Sequence, residues 1–178
     1  MVKRLLVAAV LAVVLGALGG AYVAFGPSRR AASAPGTERG ADGEWLEDIG
    51  QARALAGRLG RPILMEFLGS DWCLWCRKLE KETFSQAAWK AHAARTYVLM
   101  RCDFPRNVEQ APALKKQNDG LQTQYKVEGR FPAVIITDAS GKEQGRTGYF
   151  PGGPELYIEE LRRALDPNDP SKGPQAHP

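Results

Sequence analysis

The segment Glu66-Phe67-Leu68-Gly69-Ser70-Asp71-Trp72-Cys73-Leu74-Trp75-Cys76 holds three local signals in a row. Ile63-Leu64-Met65-Glu66-Phe67-Leu68 is a short, largely apolar run of strand length and reads as a strand buried on both faces. Gly69-Ser70-Asp71 has turn chemistry. From Cys73 onward, Cys76, Leu79 and Phe84 recur at helical spacing. The two cysteines therefore stand at a strand-to-helix junction, within one turn of each other, where they can close a small disulfide ring. At a helix start, unpaired backbone N–H groups and the helix dipole favour an anion, so a Cys73 thiolate has a lowered pKa. The thiolate is the attacking species in disulfide exchange, and Cys76, a turn later and expected to be more buried, would resolve the mixed disulfide. Plainer readings of the same pair are an inert disulfide, two buried thiols, or half of a metal site. Zinc takes four ligands, and the remaining candidates are Cys102, His92 and His177, none of which forms a second close pair.

Outward from this centre, strand and helix signals alternate. Upstream, Trp45, Ile49, Ala52 and Leu55 or Ala56 fall on one helical face, and Gly60 with Pro62 ends the run. Downstream, Ser85 reads as the N-cap of a short helix carrying Trp89. Tyr97-Val98-Leu99-Met100-Arg101-Cys102 is a second buried strand. Ala113 to Tyr125 is helical, with Leu114, Leu121 and Tyr125 on one side. Ala133 to Thr137 is a third strand, Asp138 to Lys142 contains a Ser-Gly turn, and Glu143 to Thr147 is the hairpin partner. Pro154 opens a last helix whose apolar stripe is Leu156 or Tyr157, Ile158, Leu161 and Leu165. This order predicts an α/β fold with a central mixed β-sheet flanked by helices on both faces.

The two ends of the chain read differently. Leu5 to Phe25 is apolar and uncharged, follows Lys3 and Arg4, and is long enough to span a hydrocarbon core of about 30 Å as a helix. It reads either as an uncleaved transmembrane anchor or as a signal peptide removed near Ala32-Ser33-Ala34, so residues 1–26 form a membrane segment and the rest leaves the cytoplasm. Residues 27–43 read as a flexible linker, 44–165 as one domain, and 166–178, with four prolines, as a disordered tail. Removing Lys3, Arg4, Arg29 and Arg30 from the 24 basic residues leaves 20, equal to the 20 acidic residues that all follow. The formal charge of +4 therefore belongs to the targeting segment, and nucleic acid is rejected as a partner.

The quoted segment, followed by Gly129-Arg130-Phe131-Pro132-Ala133-Val134 and then by Gly148-Tyr149-Phe150-Pro151-Gly152-Gly153, resembles the thioredoxin superfamily. It is most similar to exported bacterial thioredoxin-like proteins with a WCxWC centre. The resemblance runs from Trp45 to about Leu165 and implies a thioredoxin-like three-layer fold. It also implies a thiol–disulfide oxidoreductase with Cys73 and Cys76 as the redox-active pair. By the same resemblance Pro132 matches the family's cis-proline, which lies against the disulfide and helps bind the substrate backbone. The plain reading of Pro132 is a trans proline opening a strand. Glu66 falls at the family's buried acid, able to move a proton to or from Cys76. It lies one residue further from Cys73 than in thioredoxin, and thioredoxin has Asp there. The competing reading of Glu66 is an edge-exposed glutamate. Trp72 matches the tryptophan before the first cysteine, and with Trp75, Phe131 and Pro132 it makes the expected substrate-binding surface. Leu74-Trp75 departs from thioredoxin's Gly-Pro and suggests an apolar docking surface, although Trp75 would equally complete a core.

No organic cofactor or metal is required beyond the Cys73–Cys76 disulfide. The implied partners are protein clients with cysteines or disulfides, a membrane or periplasmic electron donor or acceptor, and the membrane itself through Leu5 to Phe25. The implied location is the cell envelope, anchored in the inner membrane and facing the periplasm, or secreted to it. Cys102 reads as a core thiol or, alternatively, as a second redox or intermolecular site. His92 reads as a surface residue. Two rival functions remain at this stage: a non-catalytic binding module of the same fold, and a copper-delivery protein using the cysteine pair as soft ligands.

Overall fold

The computed structural model describes residues 39–166 and Asn168. The apolar segment Leu5 to Phe25, the linker before residue 39 and nearly all of the tail lie outside the described residues. Among those residues no helix is long and apolar enough to cross a membrane. Residues 39–43, inside the segment read as linker, form a turn in which Ala41 packs against the core and its carbonyl accepts from Arg61 Nη1 at 3.2 Å.

The strands are β1 (Trp45–Leu46), β2 (Ile63–Leu68), β3 (Val98–Asp103), β4 (Ala133–Thr137) and β5 (Glu143–Thr147), ordered β1-β3-β2-β4-β5 in one sheet. β1, β3 and β2 run parallel, whereas β4 is antiparallel to β2 and β5 to β4. The helices are α1 (Ile49–Leu59), α2 (Leu74–Leu79), α3 (Ala87–Thr96), α4 (Pro112–Gln124) and α5 (Gly153–Leu165). Side chains alternate across the sheet, so each buried strand feeds two cores. On one face Ile63, Met65, Phe67, Val98, Met100, Cys102 and Ile135 pack with Ala52, Leu55 and Ala56 of α1 and Leu121 of α4. On the other, Leu64, Leu99, Val134 and Ile136 pack with Leu79 of α2, Trp89 and Ala93 of α3, and Tyr157 and Leu161 of α5. This is the mixed sheet between two helical layers that the alternating signals imply.

Three local readings are corrected. Trp45 does not begin the first helix; it pairs in β1 with Leu99 while Leu46 pairs with Met100. The helix starts later because the Asp48 side chain caps it, accepting the Gln51 N–H at 2.7 Å. The run from Cys73 to Phe84 is not one helix: α2 passes into a π-helical turn, Glu80–Phe84, that buries Thr83 and Phe84. Ser85 closes that turn and does not cap α3. Its hydroxyl donates backward to the Lys81 carbonyl at 3.1 Å, which leaves Gln86 at the N-cap position. The last helix resolves its ambiguity in favour of Tyr157, which is fully buried while Leu156 is exposed.

Candidate functional site

β2 ends at Leu68 beside the start of α2, and the chain between them makes the site. Cys73 is the N-cap of α2, and its Sγ accepts the backbone N–H of Cys76 at 3.1 Å. The loop beneath is tightened by the Cys73 N–H donating to the Gly69 carbonyl at 2.8 Å. Cys73 and Cys76 form a disulfide, buried with Leu68 and flanked by Trp72 and Phe131.

One flank of the disulfide is fixed to the segment after β3. The Trp72 indole lies over Gly69, where a Cβ would come within 2.2 Å of the ring, so only glycine fits. Trp72 Nε1 donates to the Phe104 carbonyl at 2.8 Å, its ring lies 5.7 Å from that of Phe131, and the Arg106 guanidinium stacks over it at 3.8 Å. Asp71 accepts the backbone N–H groups of Asn107 at 2.6 Å and of Arg106 at 3.1 Å, which hold its carboxyl below the usual range. Ser70 donates to Asp103 through both its N–H, at 2.9 Å, and its hydroxyl, at 2.6 Å.

The other flank is open. Leu74 and Trp75 are 66% and 44% exposed, so Trp75 does not complete the core. The Phe131–Pro132 peptide bond is cis, which removes the reading of Pro132 as a trans proline at the head of β4. Phe131, Pro132, Trp75, Arg130, Tyr149 and Pro151 line a groove of about 440 Å³, and Phe131 joins it to the disulfide by packing against the two cysteines.

Glu66 is fully buried, which excludes the edge-exposed reading. It shares the strand parity of Leu68 and so faces the same side of the sheet as the disulfide. Its Oε2 accepts from Arg101 Nε at 3.3 Å, because the parallel register of β2 and β3 sets the two residues side by side. Oε1 has no partner. Arg101 is divided: it also pairs with Glu80 of the π turn and lies 4.5 Å above the Trp45 ring. Burial raises Glu66 to about 8, against the downward pull of Arg101. An ion pair and a raised pKa coexist here because the dehydration of the carboxyl outweighs a half-exposed arginine shared with a second acid.

Cys102 lies on the opposite face, in the apolar cluster, and burial pushes its thiol up to about 12. His92 packs against the rings of Trp89 and Tyr97, away from the cysteines, and its burial lowers its pKa. Among the described residues no group of three or more His, Cys, Asp or Glu side chains is arranged to hold a metal ion. Sequence reasoning passed over Arg101, Arg106 and Tyr149. A signal existed only for Arg101, a lone charge inside an apolar strand.

A sheet of this order, with a disulfide at the N-terminus of α2 and a cis-proline at the head of β4, defines a thioredoxin-like protein. The chain belongs to the thioredoxin-like family, whose profile matches residues 44–139. It is 36% identical over 105 residues to the disulfide bond reductase DsbH of Chlamydia pneumoniae, which covers 59% of this chain and 63% of that protein. To the thiol:disulfide interchange protein DsbD of Vibrio vulnificus it is 31% identical over 121 residues, 66% of this chain but 18% of that protein. The chain thus spans less than two thirds of the length of these curated relatives. A solved DsbH oxidoreductase structure superposes with a TM-score of 0.64 at 33% identity, over 68% of this chain and 83% of that one.

Proposed function

We propose that the chain is a thiol–disulfide oxidoreductase acting on protein cysteines outside the cytoplasm. The observation that carries this is the buried Cys73–Cys76 disulfide at the N-cap of α2, with the Cys73 sulfur receiving a backbone N–H beside an open groove. When the disulfide is reduced, that N–H and the helix start favour Cys73 as the thiolate. The Cys73 thiolate attacks one sulfur of a client disulfide, the client S–S bond breaks, and a mixed disulfide forms with release of one client thiolate. Cys76 then gives its proton to the Glu66 carboxylate and attacks Cys73 Sγ, releasing the second client thiolate and closing the Cys73–Cys76 disulfide. Two electrons pass from the pair to the client, and a thiol-bearing donor protein in or at the membrane restores the dithiol. The name of the DsbH relative supports this reductive direction.

Pro132, Phe131, Trp72 and Trp75 hold the client chain against the sulfurs, and Glu66 moves the proton. The disulfide is the only redox group this chemistry requires. The apolar, uncharged sequence from Leu5 to Phe25 supports a location in the cell envelope, with the domain tethered to the inner membrane or released from it.

The test is a redox titration of the full chain in dithiothreitol or glutathione buffers, read by thiol alkylation and mass mapping of Cys73 and Cys76. A reversible two-electron transition is expected. A midpoint near that of thioredoxin, about −270 mV, supports the reductase direction, and one near −120 mV reverses it. Absence of any reversible transition replaces the proposal with a binding module of the same fold.

A further inference from the structure

The open flank of the disulfide carries a cluster that the exchange chemistry does not use. Lys78, three residues after Trp75 on α2, places its Nζ 5.1 Å from the centre of the Trp75 ring and 5.1 Å from that of Tyr149. The two rings are themselves 4.9 Å apart, inclined at 45°. The Tyr149 hydroxyl donates to Glu82 at 2.7 Å, and Glu82 lies 3.9 Å from Lys78. The nearby Tyr149 hydroxyl and, after it, the Glu82 charge push the Lys78 pKa upward. Helix α2, the π turn after it and the loop after β5 are thereby joined at one point.

The physical effect falls on Trp75. A large, half-exposed ring on a short helix has little to fix its rotamer, and ordering it on binding would cost free energy. Here an ammonium over two rings attracts both without closing the groove. Trp75 and Tyr149 stand as one wall, Phe131, Pro132 and Pro151 line the groove with them, and Gly129 and Arg130 complete a lining that is apolar but for the one guanidinium. A preformed apolar groove takes a large apolar side chain in preference to a small or polar one.

We propose that Lys78 and Tyr149 are positioning residues that set Trp75 as the groove wall. This wall selects clients carrying a large apolar side chain next to the reacting cysteine. The proposal rests on the groove being the client site of the exchange reaction above.

The experiment uses the full chain, pre-reduced, mixed in a stopped-flow instrument with two peptides that share one internal disulfide. They differ only beside the attacked cysteine, Phe in one and Ser in the other. The half-saturation concentration and the limiting rate are read separately. Wild type is expected to prefer the Phe peptide by about 10-fold, in half-saturation and not in limiting rate. Lys78→Met and Tyr149→Ala should bring that ratio close to one, and Lys78→Arg should restore it. The near-ultraviolet dichroism of the tryptophans should fall in Lys78→Met and return in Lys78→Arg. Equal half-saturation for the two peptides in wild type overturns the proposal, as does a ratio that survives both Lys78→Met and Tyr149→Ala. Either result leaves the exchange reading standing, because both peptides are still reduced. If wild type reduces neither peptide nor hydroxyethyl disulfide, the exchange reading itself is lost and the selectivity falls with it.

Discussion

Glu66 and Cys102 are both shut away from water, on adjacent parallel strands and one register step apart, Glu66 opposite Arg101 and Phe67 opposite Cys102. Burial disfavours the charged form of each and raises both. The outcomes differ because the carboxyl starts from 4.5 and the thiol from 9.0, and their side chains leave the sheet on opposite faces. Glu66 shares its face with Leu68, which touches the disulfide, and meets Arg101 and, beyond it, Glu80. From 4.5 it is raised to about 8, where a carboxyl can still gain or lose a proton in working conditions. Cys102 lies in the cluster that includes Phe67, Met100, Tyr125 and Val127, and at about 12 it stays a thiol. Residue type thus sets where each buried group titrates, and strand parity sets which of them shares the face of the sheet that carries the disulfide.

The sharpest way to break this contrast is at the cysteines themselves. Cys73→Ala should abolish the reversible two-electron transition, because no dithiol remains on the active face. Cys102→Ala should keep the transition and its midpoint. Alkylation and mass mapping across the redox titration distinguishes the two, and loss of the transition in Cys102→Ala would mean that the opposite face takes part. The next effect is kinetic. Resolution by Cys76 needs an ionised Glu66, so the single-turnover rate should rise with pH through the region of about 8. Glu66→Gln should remove that inflection and lower the rate above it by about 100-fold, a usual size for positioned acid–base help. An inflection that survives in Glu66→Gln belongs to a cysteine and not to Glu66.

Much of this contrast was legible before the fold was known, and the missing parts have definite causes. β2, β4 and the β4–β5 hairpin stand out because their apolar runs are bounded by turn residues, and the spacing of Cys73 and Cys76 placed the disulfide at a helix start. β1 did not, since two residues carry no periodicity and Trp45 is held by β3, a strand that arrives some fifty residues later. Ser85 misled because its hydroxyl can cap forward or bond backward, and only the π turn decides. Arg101 was visible as a charge in an apolar strand, but its position beside Glu66 follows from sheet register, which local sequence does not encode. Tyr149 sits in a Gly- and Pro-rich loop whose contact with α2 is wholly tertiary, so its pairing with Trp75 had no local signal.

Equilibrium stability gives a smaller test of the same contrast. The folded chain holds the Glu66 proton up to about 8, whereas an unfolded carboxyl releases it near 4.5. Between those values the native state binds more protons than the unfolded state, so stability falls as pH rises through that window. The decline attributable to Glu66 is on the order of a few kcal/mol. Glu66→Gln should flatten it, so that the variant gains on wild type from pH 5 to pH 9 in urea melts. A parallel decline in both proteins would assign the slope to other groups.

Cys102 supplies the smallest expected effect and the cleanest control. Its thiol remains protonated in both the folded and unfolded chain until the pH approaches the ordinary thiol value, 9.0. No slope should therefore arise from it between pH 5 and 8. Cys102→Ala removes one buried sulfur from a well-packed apolar cluster, leaving a small cavity. The loss should be about 1 kcal/mol, as for other single-atom truncations in a core, and equal at pH 5 and pH 8. Urea melts at the two values measure it directly. A loss that shrinks as pH rises would show Cys102 sensing the Glu66 charge through the sheet, because the upward push Glu66 exerts on this thiol costs the wild type stability that the alanine variant does not lose. The two faces would then be one electrostatic unit, and parity alone would no longer separate the working acid from the silent thiol.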